Sequence, residues 1–561
     1  MEIKMSAFPG NKPGIAGKIQ TAIGNFVTKD DMLVQVETGK GNRPVKAPAD
    51  GVIRQIFFSE GDEIKPNQVL FELEENTANT TSSSETQASE KGSTAATPLE
   101  TDLLVIGGGP GGYVAAIYAA KRGLKVILAE KETLGGTCLN VGCIPTKALV
   151  KSAKTCHQIN RAAEFGILTE GKATVSMPKV IARKNQIRDT LVNGIHGLME
   201  SNQIHVIKGI ASFLSEKTVS IKGDTNFEIT AKNIIVATGS KVSKLPIPGL
   251  QFPFVMNSTQ ALSCEELPAS ITIIGGGVIG MEFAFIYRYF GVQVHVVEFM
   301  ERILTMIDKD AADELTRKAT EAGIHIHTGS KVKEIKKTID NQAVVVYESA
   351  NGEELLVSEK VLVAIGREPN LEALACENAG ILLNEKERGI AVNKYMQTNH
   401  EHIYAIGDVT NIIQLAHAAS HQGITAVKHI LGEKVEMNYS AVPNVIFTSP
   451  EVASVGLTEE ECVKKGLSYK ISRFDYSANG KALTLGEPDG FIKLICSTED
   501  NLLLGGTIIG ADASSLIATV TLALEQKISV EQISETIFAH PTTAEIIHEA
   551  AMGLDIGALH Q

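Results

Sequence analysis

Short apolar runs bounded by glycine mark two separate stretches of this chain. The first stretch contains the runs Thr101–Ile106 and Lys125–Ala129, with a helix-like segment, Tyr113–Arg122, between them. The second stretch contains the runs Ile271–Ile274 and Val292–Val297. Apolar runs of this length beside glycine are typical of strands buried in a parallel sheet. The pattern therefore predicts two strand–turn–helix–strand units and an α/β fold.

A different pattern, an internal repeat, occupies residues 1–75. The segment Gly24–Glu37 aligns without gaps with Gly61–Glu74. The alignment matches apolar residues in pairs: Val27 with Ile64, Leu33 with Leu70, and Val36 with Leu73. Two similar halves with short strands predict a small all-β domain, a pseudo-symmetric flattened barrel. The turn that joins the halves falls near Thr38–Asn42 and places Lys40 at its centre.

The segment between these regions has a different composition. From Glu75 to Thr97 it consists mainly of threonine, serine, alanine, asparagine and glutamate, with almost no large apolar side chain. Such a segment cannot bury enough apolar surface to offset the entropy lost on ordering. We therefore predict a flexible linker at residues 76–98.

Length, charge and hydropathy exclude several classes of protein. A chain of 561 residues predicts three to five domains, each with its own core. The formal net charge of −13 disfavours nucleic acid or an anionic membrane surface as the main partner. The sequence also lacks an apolar run of the roughly 18 residues that a membrane-spanning helix needs. We expect a large enzyme that acts neither on nucleic acid nor in a membrane.

The first glycine cluster has the spacing of a dinucleotide-binding turn. Gly107, Gly109 and Gly112 satisfy the pattern G-x-G-x-x-G directly after the predicted strand. These glycines permit a tight turn and a close approach of the backbone to a pyrophosphate at a helix N-terminus. Glu130 ends the next strand, where a carboxylate can bind a ribose hydroxyl.

The second glycine cluster repeats this arrangement. Gly275, Gly277 and Gly280 follow the run at Ile271, and Glu298 ends the following strand. Two complete patterns in one chain predict two bound dinucleotides. The Glu298 carboxylate would repel a 2′-phosphate, which favours NAD over NADP, although the nearby Arg302 could accommodate that phosphate.

Two cysteines, Cys138 and Cys143, lie just after the first dinucleotide pattern. A disulfide that closes so short a loop would add little to the stability of the fold. A redox-active pair is therefore the favoured interpretation. The alternatives are two buried thiols or half of a metal site. The other five cysteines are isolated and form no second pair that would complete a zinc site, so no metal site is predicted. A flavin at the first dinucleotide site could accept electrons from the pair.

The N-terminal repeat resembles the lipoyl domains of 2-oxo acid dehydrogenase complexes. The motif Val36–Lys40, followed by Ala47–Gly51, carries this resemblance. In that family the turn lysine carries lipoamide, which implies a covalent lipoyl group on Lys40. This chain has Gly39 and Gly41 where the family usually has aspartate before the lysine and alanine or valine after it. Biotin is less favoured, because no methionine flanks Lys40.

The remainder of the chain, from about Leu99 to Gln561, resembles the pyridine nucleotide-disulfide oxidoreductases, most closely the branch of dihydrolipoamide dehydrogenases. Beyond the cysteine and glycine patterns, further motifs of the family occur in order: Ala237–Gly239, Ala364–Arg367, Tyr404–Asp408, Leu415–His417 and Phe538–Glu545. The resemblance implies FAD and NAD as cofactors. It also implies an FAD-binding domain at 99–247, an NAD-binding domain at 248–370, a central domain completing the FAD site at 371–440, and an α+β dimerisation domain at 441–561.

The resemblance assigns roles to single residues around the cofactors. Asp408 would bind the flavin ribityl chain, and Lys147, paired with Glu282, would lie beside the reactive flavin nitrogen. These residue types suit those roles, because a cation stabilises a reduced, anionic flavin and a carboxylate accepts hydroxyl protons. Three more positions are expected to contact a cofactor: Val332, Gly366 and Ala416.

His540 is the predicted catalytic base. A thiol attacks a disulfide as the thiolate, and an imidazole with a pKa near neutrality suits the removal of its proton. Glu545 is expected to orient His540. The family places this base in the partner subunit, which implies a homodimer. Cys138 is then the cysteine that the substrate attacks, and Cys143 is the thiolate that faces FAD.

The resemblance implies a multienzyme complex as the setting. The partners would be a lipoyl-bearing acyltransferase and other subunits of a 2-oxo acid or acetoin dehydrogenase complex. The alternatives are a glutathione or mercuric reductase-like enzyme, or a lipoyl carrier or assembly subunit. No secretory or transit segment is predicted, so we expect the cytoplasm.

Overall fold

The computed structural model describes residues 2–5, 13–21, 25–29, 31–38, 41–65, 68–75, 97–385 and 388–561. It divides the chain into two compact units, residues 1–93 and 94–561. The boundary between the units falls inside the predicted linker, most of which lies outside the described residues. No helix in the part of the chain that is described is both long and apolar enough to cross a bilayer.

The described residues of the N-terminal unit form short strands and the segments that connect them. Its strands are β1 (Glu2–Lys4), β2 (Gly14–Ile19), β3 (Phe26–Val27), β4 (Met32–Thr38), β5 (Gly41–Lys46), β6 (Gly51–Ile56), β7 (Glu63–Ile64) and β8 (Val69–Glu75). They form two antiparallel sheets, β1-β8-β6-β3 and β5-β4-β2-β7. The predicted small all-β domain is confirmed.

The internal repeat has a direct structural counterpart in this unit. Strands β3 and β4 come from its first copy, and β7 and β8 come from its second. All six apolar residues that the alignment pairs are buried in the common core. Strands β4 and β5 form an antiparallel hairpin in which Thr38 pairs with Gly41. Lys40, the predicted lipoyl-lysine, lies outside the described residues.

The second unit begins with the first predicted nucleotide-binding region. Its elements are β9 (Thr97–Ile106), α1 (Pro110–Lys121), β10 (Val126–Glu130), α2 (Gly136–Val141), α3 (Cys143–Asn160), α4 (Met177–Ser201), β11 (His205–Lys208), β12 (Ile210–Phe213), β13 (Thr218–Lys222), β14 (Phe227–Val236) and β15 (Ser240–Val242). Strand β9 starts at Thr97, so the strand includes the last two residues of the predicted linker. Helix α1 starts three residues before the predicted helix, because Pro110 suits the first turn.

The second nucleotide-binding region follows the same plan. Its elements are β16 (Val255–Asn257), α5 (Ser258–Ala261), β17 (Ser270–Ile274), α6 (Val278–Tyr289), β18 (Gln293–Val297), α7 (Lys309–Glu321), β19 (Ile324–His327), β20 (Lys331–Lys337), β21 (Ala343–Ser349), β22 (Gly352–Ser358) and β23 (Lys360–Val363). The sheet β16-β23-β17-β18-β19 is parallel throughout. An antiparallel sheet, β20-β21-β22, packs against it around Val297 and Tyr347.

The chain then returns to the first region. The returning elements are β24 (Arg367–Pro369), α8 (Cys376–Ala379), β25 (Ile403–Ala405) and α9 (Ala416–Ile430). Strand β25 pairs in parallel with β14 and extends the parallel order β11-β10-β9-β14. Helix α9 packs against α1. This segment therefore supplies a strand to the first sheet and a helix that packs beside α1.

The C-terminal region combines one antiparallel sheet with helices. Its elements are β26 (Asn444–Ile446), β27 (Glu451–Gly456), α10 (Glu459–Lys465), β28 (Tyr469–Asp475), α11 (Gly480–Leu485), β29 (Phe491–Ser497), β30 (Leu503–Gly510), α12 (Ala513–Glu525), α13 (Val530–Ser534) and α14 (Glu545–Asp555). The sheet order is β26-β27-β30-β29-β28. The predicted fold class, two Rossmann-like domains followed by an α+β domain, is confirmed.

A buried lysine joins the second and C-terminal regions. Lys493 Nζ on β29 lies 2.7 Å from Asp308 Oδ1, 2.9 Å from Asp310 Oδ2 and 2.9 Å from Glu459 Oε2. The three carboxylates are close enough together to hold a cation. The Lys493 ammonium already occupies that position, so the cluster fixes one region against the other.

Candidate active site

A cavity of about 1980 Å³ lies where the carboxyl ends of the two parallel sheets meet the C-terminal region. Both glycine clusters and both cysteines contribute to its wall. In open α/β sheets, ligands bind beside the carboxyl ends of the strands. The candidate cofactor and redox residues of the two regions therefore face a single space.

The first glycine cluster forms the turn between β9 and α1. Gly107 has φ +107°, a conformation that side chains rarely adopt. A Cβ on Gly112 would lie 1.8 Å from the Gly107 carbonyl oxygen, so the helix can pack this closely only with glycine. Beyond its own chain neighbours, the nearest heavy atom of the described residues to a Cβ on Gly109 would be Gly136 Cα, at 3.9 Å. The space beside Gly109 at the helix N-terminus thus leaves room for a pyrophosphate, as FAD requires.

The second cluster reproduces this geometry between β17 and α6. Gly275 has φ +109°, and a Cβ on Gly280 would lie 1.9 Å from the Gly275 carbonyl oxygen. Apart from Gly277, its chain neighbours and the backbone of its own helix, no heavy atom of the described residues lies within 4 Å of the position that a Cβ on Gly277 would occupy. The residues of this turn fit a second dinucleotide in the same way.

Each acidic residue is held at the end of its strand by backbone N–H groups. Glu130 Oε2 accepts a hydrogen bond of 2.7 Å from the Gly108 N–H. Glu298 accepts the equivalent bond from Gly276, and its Oε1 accepts another, of 2.8 Å, from the Met300 N–H. Both carboxylates line the cavity beside their glycine turns. They are therefore placed to accept the hydroxyls of a ribose.

The sequence left open that Arg302 binds a 2′-phosphate at the second dinucleotide site. In the structure its side chain does not face that site. Its guanidinium donates to both carboxylate oxygens of Glu460, at 2.6 and 2.8 Å. It also donates to the Thr305 and Ile307 carbonyl oxygens, and it is absent from the cavity wall. The Arg302 guanidinium is therefore paired with Glu460 and does not offer its charge to a 2′-phosphate.

The two cysteines lie on successive helices at the wall of the cavity. Cys138 is half-buried in α2, and Cys143, exposed to the cavity, is the first residue of α3. Gly142 separates the two helices, and the Cys138 thiol donates a hydrogen bond to the Cys143 sulfur. A thiolate at a helix N-terminus is stabilised by the helix dipole.

The pKa values of the two cysteines move in opposite directions. The hydrogen bond from Cys138 and, next among the favourable effects, the positive charge of Lys147 lower the pKa of Cys143 to about 7. The same hydrogen bond, together with burial, raises the pKa of Cys138. In the reduced pair Cys143 is therefore the thiolate and Cys138 keeps its proton.

Lys147 and Glu282 form the ion pair that the sequence predicts. Lys147 Nζ lies 2.9 and 3.0 Å from the two carboxylate oxygens of Glu282. Glu282 Oε1 also accepts from the Phe447 N–H at 3.0 Å, and the Phe447 ring lies 4.4 Å from Lys147 Nζ. The pair joins α3 to α6 and fixes an ammonium group one helical turn from Cys143. The contribution of Phe447 has no signal in the sequence, because it depends on a contact across 165 residues.

Asp408 belongs to a polar network that the sequence reveals only in part. Ser240 Oγ donates to Asp408 Oδ2 at 2.6 Å, and Arg367 Nε donates to Ser240 Oγ at 2.7 Å. Arg367 also donates to Thr137 Oγ1 at 3.2 Å. Burial raises the pKa of Asp408, and Ser240 and Arg367 oppose that rise. Ser240 directly follows the Ala237–Gly239 motif, and its position there is the signal that could have identified it.

The remaining cofactor candidates also line the cavity. Val332 lies on β20, Gly366 precedes β24, and Ala416 is the first residue of α9. Gly366 has φ +111°. These residues come from three separate segments, and the fold brings them to one space.

His540 and Glu545 lie outside this cavity. His540 Nδ1 is 2.9 Å from Glu545 Oε1, and Glu545 Oε2 accepts a 2.9 Å bond from the Thr542 N–H. Burial raises the pKa of Glu545, but the bonds from Thr542 and His540 outweigh burial and leave that pKa below its usual value. The His540 side chain is 79% exposed. The dyad is thus assembled, but it does not face the cysteines of its own chain.

The lowered pKa of Cys143 predicts the pH dependence of its alkylation. In the reduced protein, the rate with iodoacetamide should rise with pH through a midpoint near 7, because only the thiolate reacts. The substitution Lys147→Gln removes a favourable charge and should move the midpoint up by about one unit. Lys151→Gln, on the exposed side of the same helix, is the control. A midpoint of about 8.5 in the wild type and both variants would contradict the assignment.

Comparison with protein-family models gives three matches. Residues 101–423 match the pyridine nucleotide-disulphide oxidoreductase family, and residues 442–551 match the dimerisation domain of that family. Residues 11–73 match a model described as biotin-requiring enzyme, which covers biotin and lipoyl domains. The three matched regions correspond to the N-terminal unit, the two nucleotide-binding regions and the C-terminal region.

Individual relatives cover most of the chain. A dihydrolipoyl dehydrogenase of Bacillus subtilis is 41% identical over 82% of this chain and 99% of its own length. A dihydrolipoyl dehydrogenase of Chlamydia muridarum is 44% identical over 80% of this chain and 96% of its own length. Among solved structures, LpdA of Mycobacterium tuberculosis superposes with a TM-score of 0.74 at 26% identity and covers 82% of this chain and 100% of its own. The flavoprotein disulfide reductase RclA of Escherichia coli gives 0.73 at 29% identity, covering 81% and 99%.

Proposed function

This chain belongs to the pyridine nucleotide-disulphide oxidoreductase family, and from that premise we propose that it oxidises dihydrolipoyl groups to lipoyl groups with NAD as the electron acceptor. The observation that carries the proposal is the placement of Cys138 and Cys143 in one cavity with two dinucleotide-binding turns. The relatives that match over nearly their whole length are named dihydrolipoyl dehydrogenases, which favours a dihydrolipoyl substrate over glutathione.

Two features of the second dinucleotide site favour NAD over NADP. The Glu298 carboxylate is fixed where the adenine ribose of a dinucleotide is expected, and it would repel a 2′-phosphate. Arg302 is paired with Glu460 and cannot compensate for that repulsion without breaking two charged hydrogen bonds. The second dinucleotide site would therefore discriminate against NADP through repulsion between Glu298 and the 2′-phosphate.

The cysteine pair supports thiol–disulfide exchange with the substrate. In the oxidised pair, one substrate thiolate attacks the sulfur of Cys138, and the bond between Cys138 and Cys143 breaks. Cys143 leaves as a thiolate, which is favoured because its pKa is about 7. The second substrate thiolate then displaces Cys138 from the mixed disulfide. The substrate is released as a cyclic disulfide, and the enzyme pair holds the two electrons.

The first nucleotide-binding region fits FAD, which, when bound, accepts those two electrons and passes them to NAD as a hydride. Gly107, Gly109 and Gly112 would admit its pyrophosphate, and Asp408 would accept hydroxyl protons of its ribityl chain. Lys147 lies between Cys143 and Glu282 and supplies a fixed positive charge on this side of the cavity.

We assign the proton transfer from the substrate thiols to His540 of a second copy of this chain. The match of residues 442–551 to a dimerisation domain supports a homodimer. Within one chain, His540 is exposed and lies outside the cavity wall, whereas its orienting partner Glu545 is held in place. An exposed, oriented imidazole on a dimerisation domain suits a site that is completed by the partner.

A steady-state assay tests the proposed reaction. Flavin-loaded protein should form NADH rapidly from free dihydrolipoamide and NAD. NADP in place of NAD should lower kcat/KM by at least about 10²-fold, because Glu298 repels the 2′-phosphate. Reduced glutathione in place of dihydrolipoamide should lower it by a similar factor, because glutathione carries only one thiol and a second molecule must displace Cys138 from the mixed disulfide. Faster turnover with glutathione and NADP would assign the chain to another branch of the family.

The N-terminal unit is proposed to carry a lipoyl group on Lys40 and to present it to active sites of a 2-oxo acid or acetoin dehydrogenase complex. The support is the match of residues 11–73 and the hairpin of β4 and β5 that flanks this lysine. A tethered substrate has a high effective concentration at a nearby active site. We propose the cytoplasm as the compartment, because an odd total of seven cysteines with one close pair is typical of a protein in a reducing compartment, where a close pair is more often catalytic than structural.

The substitution Lys40→Arg tests the lipoyl assignment. Intact-mass measurement of protein produced with a lipoyl ligase and lipoic acid should show one added lipoyl group on the wild type and none on Lys40→Arg. Lys46→Arg, at the far end of β5, is the matched control and should be modified like the wild type. Activity with free dihydrolipoamide should be the same in all three proteins. Lipoyl attachment that persists in Lys40→Arg would contradict the assignment.

A further inference from the structure

Three histidines share one face of the second parallel sheet, away from the catalytic cavity. His295 lies on β18, and His325 and His327 lie on the edge strand β19. His295 pairs in register with His325, and His327 follows two residues later, so all three side chains point to the same side. None of the three contributes to the cavity wall. The proposed reaction gives this cluster no role.

Two of the ring nitrogens have the separation of ligands on one metal ion. His295 Nδ1 and His327 Nε2 lie 3.3 Å apart. Imidazole nitrogens bind zinc at about 2.0–2.1 Å, and two of them in a tetrahedral arrangement are about 3.3 Å apart. The separation of these two nitrogens therefore matches that of two ligands on one zinc ion.

The outer nitrogen of each ring has a hydrogen-bond partner, as metal-binding histidines require. His327 Nδ1 lies 3.2 Å from Tyr347 Oη, and Tyr347 in turn donates to Glu354 Oε2 at 3.1 Å. His295 Nε2 lies 3.4 Å from the Gln293 side-chain amide. A turn of that amide presents its oxygen to the His295 N–H. Both inner nitrogens can thus be free of hydrogen while both outer N–H groups stay bonded.

A carboxylate and a third histidine ring lie beside the two ligand rings. The Glu354 carboxylate adds a negative charge behind Tyr347. His325 stacks on His295 with ring centroids 4.7 Å apart and limits rotation of that ring.

We propose that His295 Nδ1 and His327 Nε2 bind one divalent transition-metal ion of the zinc and copper class. The ion takes the place of the hydrogen bond between the two nitrogens. His295 loses the proton on Nδ1 and takes one up on Nε2, so both rings stay neutral and no net proton is released. Water completes the coordination on the exposed side of the edge strand. Imidazole pairs favour such ions over magnesium or calcium, which prefer oxygen ligands.

Zinc titration of the flavin-loaded full chain tests this site. Calorimetry should show one equivalent of Zn²⁺ more on the wild type than on the double variant His295→Gln/His327→Gln. Zinc held by the cysteines is the same in both proteins and cancels in the difference. His205→Gln, an exposed histidine on β11, is the control and should bind as the wild type does. Equal stoichiometry and affinity in the wild type and the double variant would overturn the proposal.

Two further measurements separate metal binding from a loss of folding. The double variant should retain dihydrolipoamide turnover, because the contact of His327 with the Glu298 N–H is made by its backbone carbonyl and not by its ring. Tyr347→Phe keeps the buried ring but removes the hydroxyl beside His327, and zinc affinity should fall by about 10-fold or more. Unchanged affinity in Tyr347→Phe would contradict the proposed hydrogen bonding of the ligand.

Discussion

Replacing Cys143 with serine should lower NADH formation from dihydrolipoamide by at least about 10³-fold, because the nucleophile that carries the substrate's electrons is lost. Serine cannot form the disulfide that the substrate reduces, so no exchange with Cys138 can take place. The substitution removes one sulfur atom and leaves the Lys147–Glu282 pair intact. Steady-state NADH formation measures the loss directly.

Two controls distinguish this loss from damage to the fold. Cys264→Ser changes a half-buried cysteine that lies outside the cavity wall, and its activity should match the wild type. Oxidation of NADH by an artificial electron acceptor does not require the cysteine pair and should persist in Cys143→Ser. Normal dihydrolipoamide turnover in Cys143→Ser would rule out the pair as the redox centre.

The substitution His540→Gln should have the second largest effect. Positioned general bases contribute about 10²–10⁴-fold to a rate, so kcat/KM for dihydrolipoamide should fall within that range. Reaction of NADH with an artificial acceptor needs no substrate thiolate and should remain near the wild-type rate. The fall should be smaller at high pH, where more of the substrate thiol ionises without a base. A uniform loss in both reactions would indicate a structural role for His540.

A mixed dimer tests whether His540 acts on the partner's cysteines. Co-expression of Cys143→Ser with His540→Gln gives hybrid dimers in which a base that acts in trans leaves one of the two sites intact. With random assembly, the mixture should recover about a quarter of the wild-type activity. A base that acts within its own chain would give no recovery. His205→Gln, whose side chain lies on the exposed strand β11, serves as the histidine control and should behave as the wild type.

Local patterns in the sequence account for much of the fold. The apolar runs before Gly107 and Gly275 are strands that end where predicted, at Ile106 and Ile274. Strand ends beside glycine clusters are predictable because the backbone conformation of the turn restricts which residues can occupy it. The start of β9 at Thr97 was missed, because a polar edge segment gives no periodic signal.

The candidate site was predictable only as a set of separate motifs. The sequence identifies Cys138, Cys143, Lys147 and the two glycine patterns, because each depends on close spacing along the chain. It does not reveal that Ser240 and Arg367 hold Asp408, or that Phe447 packs against Lys147. Those contacts join residues more than 100 positions apart, and a single sequence does not encode such distances in any local pattern.

By itself, then, the sequence determined the residue types and local spacings that make the chemistry feasible: a close cysteine pair, two glycine patterns typical of dinucleotide-binding turns, and a histidine followed five residues later by a glutamate. The tertiary structure alone decided which of these residues share a cavity. The tertiary structure pairs Arg302 with Glu460, and it leaves His540 exposed and outside the cavity of its own chain. It also places His295 Nδ1 at 3.3 Å from His327 Nε2. The physical reason is that strand pairing and domain packing, which bring distant residues together, depend on the whole apolar surface that the chain buries rather than on any short motif.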